Sequence, residues 1–287
     1  MSIQKLQKKP ATLSQNQWVR IIIRLLSVLS PGLTARLATL LWHRTVRFPE
    51  SRIEKTVLDK MTWQLVRCND KKIQVYLWGS GEPVLLIHGW NGRAGQLGAI
   101  ARMLVDNGYQ VVCFDLPGHG RSSGNSTHAL ESSQVILTLD QTYGPFTASI
   151  SHSFGGMCMM LALNSGLLVN RAVCIAAPLD IDSLNNDFAR NLQLNPATIA
   201  AQRQLIERSF GSDIWERLSM PHLTRELNLP GLLIYDSKDR YVNSNIMHKI
   251  NQVWANSEIL ETSGLGHHRI LHSKKVIEHI INFIQRI

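Results

Sequence analysis

The chain has 287 residues, 44% hydrophobic and 18% charged, enough to bury one large core in one or two domains. Its net charge of +9 is concentrated at one end: residues 1–55 hold ten Lys or Arg against two acids, and the rest is near neutral. That placement excludes a uniformly basic, nucleic-acid-binding body. The four cysteines, Cys68, Cys113, Cys158 and Cys174, share no metal-ligand or Cys-x-x-Cys spacing. Buried free thiols and a reducing, cytoplasmic setting are therefore expected.

Residues 1–17 are polar, and mobility is expected there. Val19 to Leu29 is apolar but broken by Arg20 and Arg24, and Ser30-Pro31-Gly32 interrupts it. Leu33, Leu37, Leu40 and Leu41 follow at helical spacing, with Arg36 and Arg44 off that stripe. No uncharged run reaches the roughly 18–20 residues of a spanning helix, and Arg24 within the apolar stretch argues against a signal peptide. Residues 1–55 thus read as a basic amphipathic arm. Two fates are open to it: contact with an anionic membrane surface, inner and peripheral, or packing of the Leu33, Leu37 and Leu40 stripe on the body.

From residue 56 onward the pattern is one domain of alternating strands and helices. Thr62–Cys68 and Lys72–Leu77 form a hairpin turned at Asn69-Asp70; Pro83–Ile87 is a short buried strand. A helix over Ala94–Asn107 closes at Gly108, Gln110–Phe114 is a strand, and Leu130–Gln141 is helical. Phe146–Ile150 is a strand, Met157–Leu168 a helix and Arg171–Ala176 a strand. Residues 182–226 break the rhythm as a helical insert. Asn195 caps a helix with Pro196 at its first position and Gly211 after its end, and a shorter helix runs from Ser212 to Met220 before Pro221. Strands at Leu232–Tyr235 and Glu258–Glu261 alternate with helices at 243–255 and 273–287. Such alternation implies an α/β fold: a mostly parallel, doubly wound sheet with sites beyond the carboxyl ends of its strands.

The chemistry sits in four loops, each just after a strand. Ser151-His152-Ser153-Phe154-Gly155-Gly156 has the strand-turn-helix setting of a nucleophile elbow, in which a strained residue projects its Oγ from the sheet. Its flanking positions must be small; Ser151 stands where the usual pattern has Gly. His88-Gly89-Trp90-Asn91 carries a Gly that lets backbone N–H groups face a substrate oxygen. Asp236-Ser237-Lys238-Asp239 offers two carboxylates, and Gly264-Leu265-Gly266-His267-His268 two imidazoles. The chain order is Ser, Asp, His.

These motifs, with Leu85-Leu86-Ile87-His88-Gly89-Trp90 and Asp115-Leu116-Pro117-Gly118-His119-Gly120-Arg121-Ser122, resemble the α/β-hydrolase superfamily in its serine hydrolase, esterase- and lipase-like branch, from about residue 60 to the C-terminus. The resemblance implies Ser153 as nucleophile, His267 as general base and acid, and a carboxylate that orients the imidazole. Asp239 is preferred over Asp236, which occupies a position usually held by Gly, and His267 over His268. Backbone N–H groups of Trp90 and Phe154 are implied as the oxyanion hole, and the 182–226 insert as a lid, with Phe188 and Leu192 among its apolar lining. His88, His119 and His152 are assigned structural roles. Ser153 argues against the dehalogenases and epoxide hydrolases of this fold, which use Asp. No metal or cofactor is expected, since His119 and His128 lack ligand spacing. The implied activity is cleavage of small or medium apolar acyl esters through an acyl-enzyme. Alternatives are a slow or non-catalytic small-molecule receptor, a thioesterase or a serine peptidase.

Overall fold

The computed structural model describes residues 15–242 and 244–286, so most of the polar stretch at 1–17 lies outside the described residues, as does Asn243 at the expected helix start. The elements, in chain order, are α1 (Gln15–Leu29), α2 (Pro31–His43), α3 (Arg52–Leu58), β1 (Thr62–Cys68), β2 (Lys71–Trp78), β3 (Pro83–Ile87), α4 (Gly98–Asp106), β4 (Gln110–Phe114), α5 (Ala129–Tyr143), β5 (Phe146–His152), α6 (Phe154–Asn164), β6 (Val169–Ile175), α7 (Ile181–Leu192), α8 (Pro196–Phe210), α9 (Ile214–Arg217), α10 (Met220–Thr224), β7 (Gly231–Asp236), α11 (Ser244–Val253), β8 (Ser257–Thr262), α12 (Gly266–Arg269) and α13 (Lys274–Ile284). Contacts divide the described residues into two compact units, those of 1–42 with 185–212 and those of 43–184 with 213–287.

The larger unit holds an eight-stranded sheet in the order β1-β2-β4-β3-β5-β6-β7-β8. The β1–β2 and β2–β4 pairs are antiparallel and all later pairs parallel, which is the α/β class expected. Strand order reverses at β3, which lies between β4 and β5, so the switch-point crevice opens beyond the carboxyl ends of β3 and β5. The central strands are apolar on both faces, as a sheet covered on both sides requires: Val84, Leu85, Leu86 and Ile87 have no solvent exposure, nor have Leu232, Leu233 and Ile234. Val276, Ile280 and Phe283 of α13 and Ile100 and Leu104 of α4 pack one face.

Three local readings shift. A 3-10 turn, Ala94–Leu97, precedes α4. The helix after the elbow runs over Phe154–Asn164 rather than Met157–Leu168, with Gly155 and Gly156 helical and Ser165 at its C-cap. Pro221 does not follow a helix but sits in the first turn of α10, capped by Ser219, where its missing N–H costs nothing. The helix expected to reach Met220 stops at Arg217. Four helices were not individually anticipated, α3, α7, α10 and α12; α3 starts at a capping box, Ser51 Oγ accepting from Glu54 N–H while Glu54 accepts from Ser51 N–H.

The smaller unit is helical. Ile23 of α1 and Ala38 of α2 form a cluster with Ala189 of α7 and Leu194, flanked by Leu41, Phe188 and Leu192. The Trp42 and Phe188 rings meet edge to face at 5.2 Å. Phe188 and Leu192 thus pack against the arm's own helices. Ser27 is fully buried and hydrogen-bonds Thr198 Oγ1 at 2.8 Å, while Asn195, the cap of α8, donates from its side chain to Ser27 O.

Candidate active site

Ser153 follows β5 at φ 52°, ψ −125°, a strained conformation for a residue with a side chain. Ser153 N–H donates to Ile175 O at 2.8 Å, which ties the turn to β6. The two flanking small residues each have a reason. A Cβ on Gly155 would lie 2.5 Å from His88 O, so only glycine allows α6 to start this close to β3. Ser151 fits where glycine is usual because its Oγ has room and a partner, donating to Val173 O at 3.0 Å.

The structure brings Ser153, His267 and Asp239 together. Ser153 Oγ lies 3.1 Å from His267 Nε2, and His267 Nδ1 lies 2.7 Å from Asp239 Oδ2. The Asp239 carboxylate is wholly inaccessible to solvent, and its other oxygen accepts from Tyr241 N–H at 2.8 Å and Val242 N–H at 3.3 Å. Burial alone raises its pKa, but the His267 hydrogen bond and these backbone donors outweigh it and hold the carboxyl below its usual range.

Asp236 does different work. Its carboxylate accepts from the N–H groups of Lys238, Gly264 and Leu265 and from Thr262 Oγ1, at 2.8–3.1 Å. Against the upward push of burial, these donors bring it down to about 2. It is the anchor of the loop that carries His267, and it makes no contact with the imidazole. His268, the other alternative, is exposed, with its ring 5.1 Å from that of His267.

Trp90 and Phe154 sit beside Ser153. A Cβ on Gly89 would lie 2.9 Å from Ser153 Cβ, so the loop after β3 passes directly against the elbow. The Trp90 and Phe154 rings meet edge to face at 5.0 Å. Neither backbone N–H donates to a protein acceptor among the described residues. His88 holds this loop. Leu116 N–H donates to His88 Nε2 at 2.9 Å, so the ring proton is on Nδ1, which donates to Gly89 O at 2.8 Å.

Several supporting contacts hold these loops in place. His152 Nε2 donates to His267 O at 2.9 Å, linking the elbow to the histidine loop. The Tyr241 ring stands edge-on to His267 at 5.0 Å and is largely exposed. Residues 44–54 brace the Trp90 loop from behind: Val46 N–H donates to Asn91 Oδ1, and Arg93 pairs with Glu54 at 2.8 Å. The Ser51-x-x-Glu54 capping box is the readable trace of that brace. Asp115, buried, accepts from Ala94 and Arg121 N–H and from Tyr76 Oη, which is a turn-holding role. Among the described residues no cluster of His, Cys, Asp or Glu could hold a metal ion.

Three buried imidazoles around this site predict acid lability. Burial lowers His88 to about 4 and His119 and His152 to about 3, from 6.5. Each stays neutral in the fold and takes up a proton on unfolding, so its contribution is complete above pH 6.5 and lost as pH falls toward the folded value. Three such groups give a stability slope of up to about 4 kcal/mol per pH unit between pH 6 and pH 4. Urea titrations across that range should show it; a pH-independent midpoint would contradict it.

The model of the Alpha/beta hydrolase family matches residues 84–278, more than half of the chain, and the protein belongs to that family. A pimeloyl-[acyl-carrier protein] methyl ester esterase of Xanthomonas oryzae is 24% identical over 72% of this chain and 96% of its own length. A non-heme haloperoxidase of Rhodococcus erythropolis is 30% identical over 38% of this chain, which spans 42% of that relative's length. An esterase of Pyrococcus furiosus superimposes with a TM-score of 0.64 at 18% identity, covering 85% of this chain and 96% of the other, a likeness of fold.

Proposed function

We propose that the protein is a serine hydrolase cleaving carboxylic esters of small or medium apolar acyl groups. The observation that carries this reading is the hydrogen-bonded chain Ser153 Oγ, His267 imidazole, Asp239 carboxylate at a strained elbow, beside two undirected backbone N–H groups. An ester-cleaving relative that aligns over nearly its whole length supports it.

Ser153 Oγ attacks the ester carbonyl carbon while its proton passes to His267 Nε2. Asp239, kept ionised, holds Nδ1–H and stabilises the imidazolium. The carbonyl oxygen takes the charge and receives the Trp90 and Phe154 N–H groups; one such donor contributes about 100- to 1000-fold in rate. The tetrahedral species collapses, the bond from the carbonyl carbon to the alkoxy oxygen breaks, and the proton on Nε2 goes to the departing alcohol. Water then attacks the acyl carbon with His267 as base, the acid leaves, and Ser153 regains its proton. Four buried free cysteines are compatible with a reducing, cytoplasmic setting for this chemistry.

A series of p-nitrophenyl esters of increasing acyl length, with matched thioesters and amides, tests the reading. The expected result is turnover of the short and medium esters well above thioesters and amides. Tight ligand-induced thermal stabilisation with no turnover of any member would instead assign a receptor.

A further inference from the structure

The smaller unit wears most of its large apolar residues on α1 and α2 on the outside. On α1, Ile22, Leu25, Leu26 and Leu29 form an i, i+3, i+4, i+7 row that is 40–80% exposed. On α2, Leu33 and Leu40 are 65% and 71% exposed, with Leu37 between them. Apart from Ile23, the buried positions of the two helices are small or polar: Ser27, Thr34, Ala35 and Ala38. A helix that only packed onto its own protein would carry the reverse distribution. The stripe Leu33, Leu37, Leu40 is therefore solvent-exposed.

Charge identifies what covers it. Neither α1 nor α2 contains an Asp or Glu, while Arg24 and Arg36 are exposed among the leucines. Residues 1–55 as a whole carry ten bases and two acids. A second copy would bring the same positive face against itself, whereas an anionic bilayer supplies both an apolar phase and negative charge. Beside Leu33, an open cleft of about 370 Å³ is lined by Arg36, Gln204, Leu205 and Arg208, two guanidiniums where a phosphate could lie. No described helix is long and apolar enough to cross a membrane, which leaves attachment in the plane of the surface.

We propose that α1 and α2 lie on an anionic membrane surface, their leucine rows entering the interface and the Arg36–Arg208 cleft taking a lipid phosphate. The proposal is independent of the chemistry assigned to Ser153. It is tested by co-sedimentation of the full chain with phosphatidylcholine vesicles, with and without phosphatidylglycerol, alongside light scattering of the protein alone. The chain is expected to pellet with the anionic vesicles and to be released by high salt. Leu29→Gln with Leu40→Gln should lower partitioning about a hundredfold, roughly tenfold for each buried leucine. Arg36→Gln with Arg208→Gln should lower it about thirtyfold on anionic vesicles. All four side chains are exposed, so circular dichroism should show both variants folded. Recovery in the supernatant regardless of lipid overturns the proposal, as does a folded leucine variant that pellets like the parent. Concentration-dependent self-association abolished by the leucine changes, without vesicle binding, assigns the face to a second copy and equally overturns it.

Discussion

Ser153→Ala and His267→Ala, made separately, are each expected to lower kcat for a short ester by about a millionfold, and the double variant by no more than either alone. The reason is geometric. In the proposed mechanism, Ser153 Oγ reaches full nucleophilicity only by passing its proton to His267 Nε2, 3.1 Å away, and the imidazole has no other proton to move in the acylation step. The two groups are one device, so removing the second costs nothing further. What survives comes from the Trp90 and Phe154 N–H groups and from substrate positioning. Multiplicative losses would mean that the two side chains act independently, and the proton transfer written for them would be wrong.

The second large effect separates two carboxylates three positions apart. Asp239→Asn should lower kcat by about ten thousandfold with little change in stability, because an amide nitrogen facing His267 Nδ1 favours the wrong tautomer. Asp236→Asn should act on stability first. Its carboxylate satisfies three backbone N–H groups and a hydroxyl, and an amide can accept only on one side. A loss of about 2–4 kcal/mol is expected, with activity falling as the His267 loop loosens. The pH dependence has a defined sign. The folded carboxyl is held at about 2 against 3.8 when free, so its contribution is present above pH 4 and lost as pH falls through 2. Thermal melts and kinetics on both variants check this. Equal kinetic losses with equal melting temperatures would erase the distinction.

Much of this arrangement was legible in the sequence because its physics is local. β3, β4 and β7 are short, mostly apolar runs bounded by Gly, Pro or Asp, and the elbow, the Gly89 loop and the His267 loop each follow a strand. What stayed hidden depends on groups distant in sequence. Asp236 and Asp239 are equivalent as residue types; only convergence of the Gly264 and Leu265 N–H groups on one, and of His267 on the other, tells them apart. Gly155 and Gly156 read as a loop, yet they lie in the first turn of a helix, and the need for glycine at 155 comes from His88 O, distant in sequence. The leucine row of α2 is visible as a period, but periodicity does not say which side is wet. That answer came from Ala35 and Ala38, buried on the opposite face.

The central claim is that Ser153 is a nucleophile activated by His267, and covalent labelling with a fluorophosphonate, mapped by peptide mass, reads it most directly. A single adduct on Ser153 is predicted, absent from Ser153→Ala and formed far more slowly in His267→Ala. Folded protein that takes no label at Ser153, or that labels equally in the His267 variant, would contradict the account.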